Sequence, residues 1–320
     1  MTIVTNTFTR FDAIGVREQL SDAIYNISPT ETPFITNAGR GKLSNTLFEW
    51  QTDALATAIT TNQQIEGDDI TSYDAVTPTV RLGNYSQISR KTVVISETEE
   101  VVDKAGRSSE LSYQLAKKAK ELKRDMEADL LANKGAAAGS TTVARKTGSL
   151  LAFLKTNINK ASDGTAPVYT SIPTDVWTDG TARATSETIL KSVISQCWTS
   201  GAEPGTIMVG AFNKQATSAF AGIVELMSQQ NKGGQATIIG AANTYVSDFG
   251  NLTVVPNRFQ RTSTMFVLDW DYVSVDYLRP FKQTPLATTG DAQKRMLIAE
   301  YGLRVKNEKA LGVATDLSSS

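Results

Sequence analysis

The 320-residue sequence contains no histidine and a single cysteine. Histidine is the side chain best suited to proton transfer near neutral pH, and it is the commonest ligand of transition metals. Its absence excludes Ser-His-Asp and Cys-His catalytic sites and histidine-based zinc sites. The single cysteine, Cys197, excludes an internal disulfide and suits a reducing cytoplasm. We interpret Cys197, within "SVISQCWTSG", as a small buried hydrophobe on a helix.

The sequence also lacks an excess of charge of either sign and any long apolar run. Lys and Arg number 32 and Asp and Glu number 33, which gives a net charge of −1. This balance provides no bulk field to hold nucleic acid or an anionic membrane, which argues against a dedicated DNA-binding protein. No apolar stretch approaches the roughly 18 residues of a membrane helix, and the N-terminus does not resemble a secretory signal. We therefore expect a soluble chain made in the cytoplasm, with no membrane partner.

Two alternating stretches are separated by a long polar segment. Apolar and polar side chains alternate in "NTLFEWQTDAL" (residues 45–55) and again in "TVRLGNYSQISRKTVVIS" (residues 79–96). Their pairing predicts a long two-stranded hairpin, which is marginal in water when isolated. The connecting segment is far longer than an ordinary hairpin loop, and such loops tend to be functional or mobile. We interpret Phe48 and Trp50 as interface anchors rather than a small-molecule platform, because Trp is enriched in interface hot spots.

The strongest helical pattern covers residues 108–133. Ser108 is placed to cap the start of this helix, with Glu110 in its first turn. A helix of this length, about 39 Å, resembles a structural beam. Its apolar stripe consists of Leu111, Leu115, Ala119, Leu122, Met126 and Leu130. Its charged side chains predict a solvated face with ion pairs such as that of Lys117 and Glu121. The charged residues of this face are Lys117, Lys118, Lys120, Lys123, Arg124, Glu121, Asp125, Glu127 and Asp129.

The N-terminal segment and the middle of the chain carry weaker patterns. Residues 1–44 are typical of an arm with one helix over residues 12–27, because Pro29 and Pro33 stop a helix there. Residues 157–185 are polar and irregular, and we expect a surface excursion. A further helix is predicted at "SETILKSVISQCW".

The C-terminal third predicts a compact second module and a set of closing strands. A strand in "GTIMVGAFN" is followed by a helix for which Asn213 is a good cap. The segment "QQNKGGQATIIGAAN" predicts a loop, and "TYVSDFGNLTVVPN" a hairpin about Gly250 and Asn251. Further strands are predicted in "TMFVLDW" and "YVSVDYL", and strict alternation from Arg295 to Lys306 predicts a long, half-buried last strand.

No motif forms a catalytic constellation. "GRGK" (residues 39–42) lacks phosphate-loop spacing, with Leu43 where Ser or Thr would hold magnesium, and "EGDD" (residues 66–69) lacks the ligand spacing of a calcium loop. Asp269 and Asp271 lie two apart on a predicted strand, face the same way and have the spacing to share a metal. A metal-dependent hydrolase is therefore a remote alternative. We expect a protein that is not an enzyme and holds no cofactor or metal.

The order of these elements resembles the major capsid proteins of tailed bacteriophages, which share the Hong Kong 97 type shell fold, of α+β class. The resemblance extends to sequence in the branch related to the phage SU-ten major head protein. The segments that carry it span nearly the whole chain: "ISPTETPF" (27–34), "NTLFEWQTD" (45–53), "ELSYQLAKKAKELKRDMEADLL" (110–131), "ARKTGSLLAFL" (144–154), "YLRPF" (277–281), "TGDAQKR" (289–295) and "VKNEKALGVATDL" (305–317).

The resemblance implies a role for each segment. The implied segments are an N-terminal arm (1–44), an extended β-hairpin loop lying across a neighbouring subunit (45–97), a peripheral domain (98–204) with a spine helix (108–133), an axial domain (205–263) and strands that return through the peripheral domain and end at the axial one (264–320). On this view the hairpin lacks a core because another copy supplies its partner. The candidate inter-subunit contacts are Phe48, Trp50, Leu55, Ile59, Tyr73 and Tyr85.

The implied function is self-assembly, as hexamers and pentamers, into an icosahedral virion shell around double-stranded DNA. Implied partners are other copies of the chain, a portal, a possible decoration protein and packaged DNA, touched non-specifically at the inner face. The match starts near residue 10, without the fused scaffolding segment of many relatives, so scaffolding is expected from a separate protein. The alternatives are an encapsulin-like bacterial nanocompartment shell and a different virion component, such as a tail protein.

Overall fold

The computed structural model describes residues 30–67, 69–70, 73–104, 106, 108–220 and 243–319. Its helices are α1 (Pro33–Asn37), α2 (Glu97–Val101), α3 (Glu110–Leu131), α4 (Leu150–Phe153), α5 (Glu187–Thr199) and α6 (Ala211–Ser218). Its strands are β1 (Gly39–Lys42), β2 (Leu47–Thr52), β3 (Val80–Tyr85), β4 (Gln87–Ser96), β5 (Ile158–Asn159), β6 (Thr206–Val209), β7 (Thr244–Ser247), β8 (Gly250–Pro256), β9 (Met265–Leu268), β10 (Val273–Pro285), β11 (Ala292–Val305) and β12 (Gly312–Ala314). The helix predicted at 12–27 and nearly all of the loop predicted at 229–243 lie outside the described residues.

The strands form three sheets. A four-stranded sheet has the order β1-β10-β11-β4, in which only β1 runs parallel to its neighbour. A six-stranded mixed sheet has the order β5-β12-β9-β6-β8-β7. The third is an antiparallel ribbon of β2 and β3. Together with the separate helices, these sheets confirm the predicted α+β class.

The first of two apolar cores lies between α3 and the four-stranded sheet. Leu122 and Met126 of α3 are fully buried there, as is Tyr301 of β11. The predicted long strand is confirmed by β11, although both of its faces are buried from Ala299 to Leu303 and the short β12 follows it. The apolar stripe of the helix is confirmed in its second half. In the first half, Leu111 and Leu115 are only partly buried. Within the described residues, no helix is long and apolar enough to cross a bilayer.

The second core joins the six-stranded sheet to α5. Cys197 is fully buried in it, as predicted. The predicted strand-helix pair is confirmed by β6 and α6, and the predicted hairpin by β7 and β8, although its turn lies at residues 248–249. Strands β5, β9 and β12 come from outside residues 205–263, so this sheet is assembled from distant parts of the sequence.

Three expectations about helix ends need correction. The hydroxyl of Ser109, and not of Ser108, accepts the N–H of Ser112 and caps α3. Asn213 lies inside α6, where its buried side chain donates to the carbonyl of Thr262. Pro33 begins α1 instead of stopping a helix, because proline lacks only an N–H that the first turn leaves without a partner.

The prediction of a single long hairpin is also wrong for the second half of the returning stretch. The returning stretch divides at Ser86: β3 pairs with β2, whereas β4 pairs with β11 in the four-stranded sheet. The buried Ser86 hydroxyl donates to the buried carboxylate of Glu300, which holds the chain where it changes sheets. Residues 157–185 are not a simple surface excursion, since Tyr169 and Trp177 are buried in the first core.

Glu127 of α3 is predicted on a solvated face, and this prediction is wrong. The side chain is fully buried, and its two oxygens accept the backbone N–H groups of Phe34 (2.7 Å) and Ile35 (2.9 Å) and the Asn257 amide (2.7 Å). Burial raises the pKa of the Glu127 carboxyl, and the three donors act in the opposite direction. The carboxylate therefore ties α1, α3 and the segment after β8 together.

We expect Glu127→Gln to lower the free energy of unfolding by about 2–4 kcal/mol, because the new amide group meets a buried N–H donor at one of the two oxygen positions. Urea denaturation of the purified subunit at pH 7 measures this change. The control is Glu121→Gln, which removes the partly exposed ion pair with Lys118 (2.7 Å) and should change stability by less than about 1 kcal/mol. Equal effects of the two substitutions would contradict the structural role of Glu127.

Candidate assembly surface

The described residues of the segment 53–79 are all exposed. The described residues of this segment contain no helix or strand. Its large apolar side chains are exposed, with Leu55 at 99% and Tyr73 at 88% of their full accessible area. The others are Ile59, Ile65, Ile70 and Val76. Such a concentration of exposed apolar groups on one segment is typical of an interaction surface.

The ribbon of β2 and β3 holds this segment at both ends. Phe48 is only 7% exposed and lies directly over Gly302 of β11, where an added Cβ would come within 2.4 Å of the phenyl ring. Glycine is therefore required at this position for the ribbon to approach the sheet. The neighbouring Trp50 stacks on Phe48 with ring centroids 5.9 Å apart and also meets Phe153 of the first core at 6.1 Å.

An ion pair between a buried carboxylate and a partly exposed guanidinium lies beneath these rings. The Nε of Arg304 is 2.7 Å from a carboxylate oxygen of the buried Asp276. The guanidinium carbon lies 5.7 Å from the centroid of Phe48 and 5.9 Å from that of Trp50. A cation over aromatic faces adds an electrostatic attraction to the apolar contact. The ribbon is thus fixed by packing and by charge.

Asn84 fixes the other strand of the ribbon. Its buried amide donates to the carbonyl of Leu303 (2.7 Å) and to the hydroxyl of Thr147 (3.0 Å), and its oxygen accepts the N–H of Gly148 (2.8 Å). A fully satisfied buried amide of this kind specifies one arrangement of the chains around it. Both strands therefore leave the body from fixed positions.

The structure separates the six predicted contact residues into two groups. Phe48, Trp50 and Tyr85 lie in the ribbon, where Phe48 is buried and the other two are partly buried in their own subunit. The expectation of a lone ribbon is wrong for this part, since the four-stranded sheet covers its apolar face. Leu55, Ile59 and Tyr73 extend beyond the body, and for them contact with a neighbouring subunit stays a prediction.

Several residues of this surface are missing from the sequence analysis. Gly302 and Arg304 contact the ribbon from distant positions in the sequence, and Asn84 of β3 bonds to residues that are equally distant. Local patterns do not reveal such contacts. Ile65, Ile70 and Val76 were detectable, because they are apolar residues in an otherwise polar linker.

The alternative metal site at Asp269 and Asp271 does not have the expected geometry. Asp271 lies in a short 3-10 helix, Trp270–Tyr272, and Asp269 is the residue just before it, so the two do not lie on a strand. The side chain of Asp269 accepts the N–H of Asp271 at 3.1 Å and caps this turn. Among the described residues, no group of three or more acidic or cysteine side chains is placed to hold a metal ion.

Comparisons with known proteins agree with one another. A family model described as SU10 major capsid protein matches residues 3–318. The major capsid protein of Escherichia phage Phieco32 is 30% identical, over 96% of each chain. The capsid asymmetric unit of cyanophage A-1(L) has a TM-score of 0.67 at 12% identity and covers 98% of this chain and 100% of its own. The holo-SrpI encapsulin complex of Synechococcus elongatus PCC 7942 has a TM-score of 0.56 at 10% identity, covers 95% and 93%, and shows similarity of fold alone.

We expect Trp50→Ala to lower the free energy of unfolding of the subunit by about 2–4 kcal/mol, because it removes the indole between Phe48 and Phe153. Urea denaturation measures the loss. Trp50→Phe is the matched control: it retains an aromatic ring and removes a buried N–H that has no acceptor among the described residues, so its effect should stay below about 1.5 kcal/mol. If Trp50→Ala impaired only association between subunits, Trp50 would belong to an interface.

Proposed function

The chain belongs to the SU10 major capsid protein family and is the major capsid protein of a tailed phage, and from this premise we propose how its subunits are joined. Its fold is of the Hong Kong 97 type, and it assembles from copies of itself into the shell of the virion. In our proposal, subunits form hexamers and pentamers of an icosahedral shell around a double-stranded DNA genome. Residues 53–79 of each subunit lie across a neighbouring subunit.

The exposed extended segment is the observation that supports this proposal most directly. It carries six large apolar side chains that water surrounds in the single subunit. Burying apolar area stabilises by about 25 cal/mol per Å², so contact with a second subunit would favour assembly. The anchored ribbon positions the segment before contact, which reduces the loss of conformational freedom on binding.

Assembly through several such contacts does not require any one of them to be tight. A subunit in a closed shell is held by its neighbours at several edges at once, and the effective concentration of each further contact is high. Symmetric closure removes free edges and stops further growth. Modest individual contacts are therefore sufficient for a stable particle.

We assign the remaining segments by the same proposal. Residues 1–44 serve as the N-terminal arm, 98–204 as the peripheral domain around α3, and 205–263 as the axial domain at the capsomer centre. Residues 264–320 return through the peripheral domain and end at the axial one. The observation in favour is the presence of two cores, one around α3 and one that joins β6 and β8 to α5.

The membership in a structural family supports a role without enzymatic activity. We propose a portal, a separate scaffolding protein and a decoration protein as further partners, and non-specific contact with DNA at the inner face. A shell that stores enzyme cargo is the rival within this fold. The encapsulin likeness is one of fold, whereas the family match and the 30% identical relative both favour a phage capsid.

Replacement of residues 56–77 by a tight turn tests the proposed contact. We expect a soluble, folded subunit that forms at least tenfold fewer shells, because the ribbon is anchored independently of the segment it carries. Sedimentation and electron microscopy measure shell yield, and circular dichroism measures folding. A normal yield of shells from this variant would show that the segment is not an assembly contact.

A further inference from the structure

The strand β12 lies inside the six-stranded sheet and not at its edge. It pairs in parallel with β5 and antiparallel with β9. In the order β5-β12-β9-β6-β8-β7, it connects β5 to the other strands. A sheet without β12 would leave unpaired backbone groups on the edges of β5 and β9 that now face it. The sheet is therefore completed by residues that follow all its other strands in the chain.

β12 also contributes to both apolar cores, because the two faces of the sheet meet different cores. Val313, and Leu311 just before the strand, are fully buried in the first core. Ala314, and Leu317 beyond the strand, are buried in the second core. Successive side chains of a strand point to opposite faces, so one short strand fills part of each core. We call residues 306–318 the closing segment.

Gly312 allows the closing segment to pack against α5. An added Cβ at this position would come within 2.4 Å of Val193 and 2.8 Å of the sulfur of Cys197. Both of these side chains are fully buried, and a close-packed interior leaves them no room to move aside. A side chain at position 312 would therefore prevent β12 from entering the sheet.

Two buried polar side chains hold the start of the closing segment. The carboxylate of Glu308 accepts the backbone N–H of Thr156 at 3.2 Å and also accepts its hydroxyl. The amide of Asn157 donates to the carbonyls of Lys309 (2.6 Å) and Leu311 (3.1 Å). Buried polar groups lower stability when they lose such partners, so each of these bonds favours the docked segment.

Asp316 holds the end of the closing segment. Its φ of 59° lies in the left-handed region, which few residues other than glycine occupy and in which aspartate is enriched. The buried carboxylate accepts the N–H groups of Ala161 (3.0 Å) and Gly180 (2.8 Å). The backbone carbonyl of Asp316 accepts the N–H of Arg183 at 2.8 Å. This backbone conformation is therefore stabilised by bonds to residues far away in the sequence.

The partners of the closing segment come earlier in the chain and are far apart from one another in sequence. They lie at residues 156–161, 180–183, 193–197 and 263–267. None of these contacts can form in a chain that has been synthesised only to residue 305. Such a chain lacks an inner strand of one sheet and part of both cores.

We infer that docking of the closing segment is the step that makes a subunit competent for assembly. Before this step both cores are incomplete and the six-stranded sheet is divided, so the body of the subunit has no single arrangement. Chains interrupted before β12 are therefore excluded from shells instead of entering them as defects. The inference goes beyond the proposed function and uses only the assembly of the chain from copies of itself.

Co-expression of two chains in one cell tests the inference. The parent chain is produced with an equal amount of a chain that ends after residue 305, or of full-length Gly312→Val, in which the new side chain meets α5. Sedimentation isolates the shells, and intact-mass spectrometry measures the share of each chain in them. We expect each variant to be under-represented in shells by at least about tenfold, while the yield of parent shells stays within about twofold.

Gly205→Val is the matched control. Gly205 lies just before β6 of the same sheet, and an added Cβ there meets no described atom within 4 Å. The same substitution at this position should therefore leave the share of the variant in shells within about twofold of the parent.

Several outcomes would overturn the inference. They are entry of either variant into shells in proportion to its expression, shells formed by the shortened chain alone, and exclusion of Gly205→Val as strong as that of Gly312→Val. A loss of parent shells in proportion to the amount of variant would also overturn it, because incomplete subunits would then enter shells and stop their growth. Loss of the shortened chain as insoluble material counts as exclusion. The variant that lacks residues 56–77 retains the closing segment, so its result tests the proposed function separately.

Discussion

The contact between Phe48 and Gly302 is the constraint on which the arrangement of the subunit depends. The phenyl ring of Phe48 lies so close to the backbone of β11 that position 302 cannot carry a side chain. The same contact packs the ribbon against the four-stranded sheet. The ion pair of Asp276 and Arg304 lies under the same ring, and Trp50 links it to the first core. Because the ribbon is fixed here, the segment that it carries projects in a defined direction.

Glu127 has a comparable effect on the other side of α3. Its carboxylate accepts three hydrogen bonds. These bonds hold the start of the described chain, the long helix and the segment after β8 in one arrangement. Burial of a charged group lowers stability unless the group is hydrogen-bonded, and the Glu127 carboxylate accepts three hydrogen bonds. The two cores of the subunit are therefore connected by a specific contact as well as by apolar packing.

Local patterns in the sequence identify the longer elements and the pairings of β2 with β3 and of β7 with β8, but not the pairings between distant strands. The periodicity of α3, α5 and β11 identifies each of them, because apolar side chains recur at regular spacing along each. The division of residues 79–96 between two sheets is not visible locally, since β3 and β4 both alternate and differ only in their distant partners. Glu127 was misplaced for the same reason: its donors are about 90 and 130 positions away. Among the candidate contact residues, those on the polar linker are exposed as expected. Phe48 is instead buried against Gly302 of β11, and no residue near Phe48 in the sequence indicates this contact.

The length of the extended segment has a mechanical consequence. Its 27 residues, at about 3.3 Å each, allow an excursion of roughly 45 Å out from the ribbon and the same distance back. This exceeds the length of α3, which at 22 residues is about 33 Å. In the proposed contact, a segment of that reach extends past the edge of the neighbouring subunit, so a displacement of one subunit would be transmitted to points well inside the next.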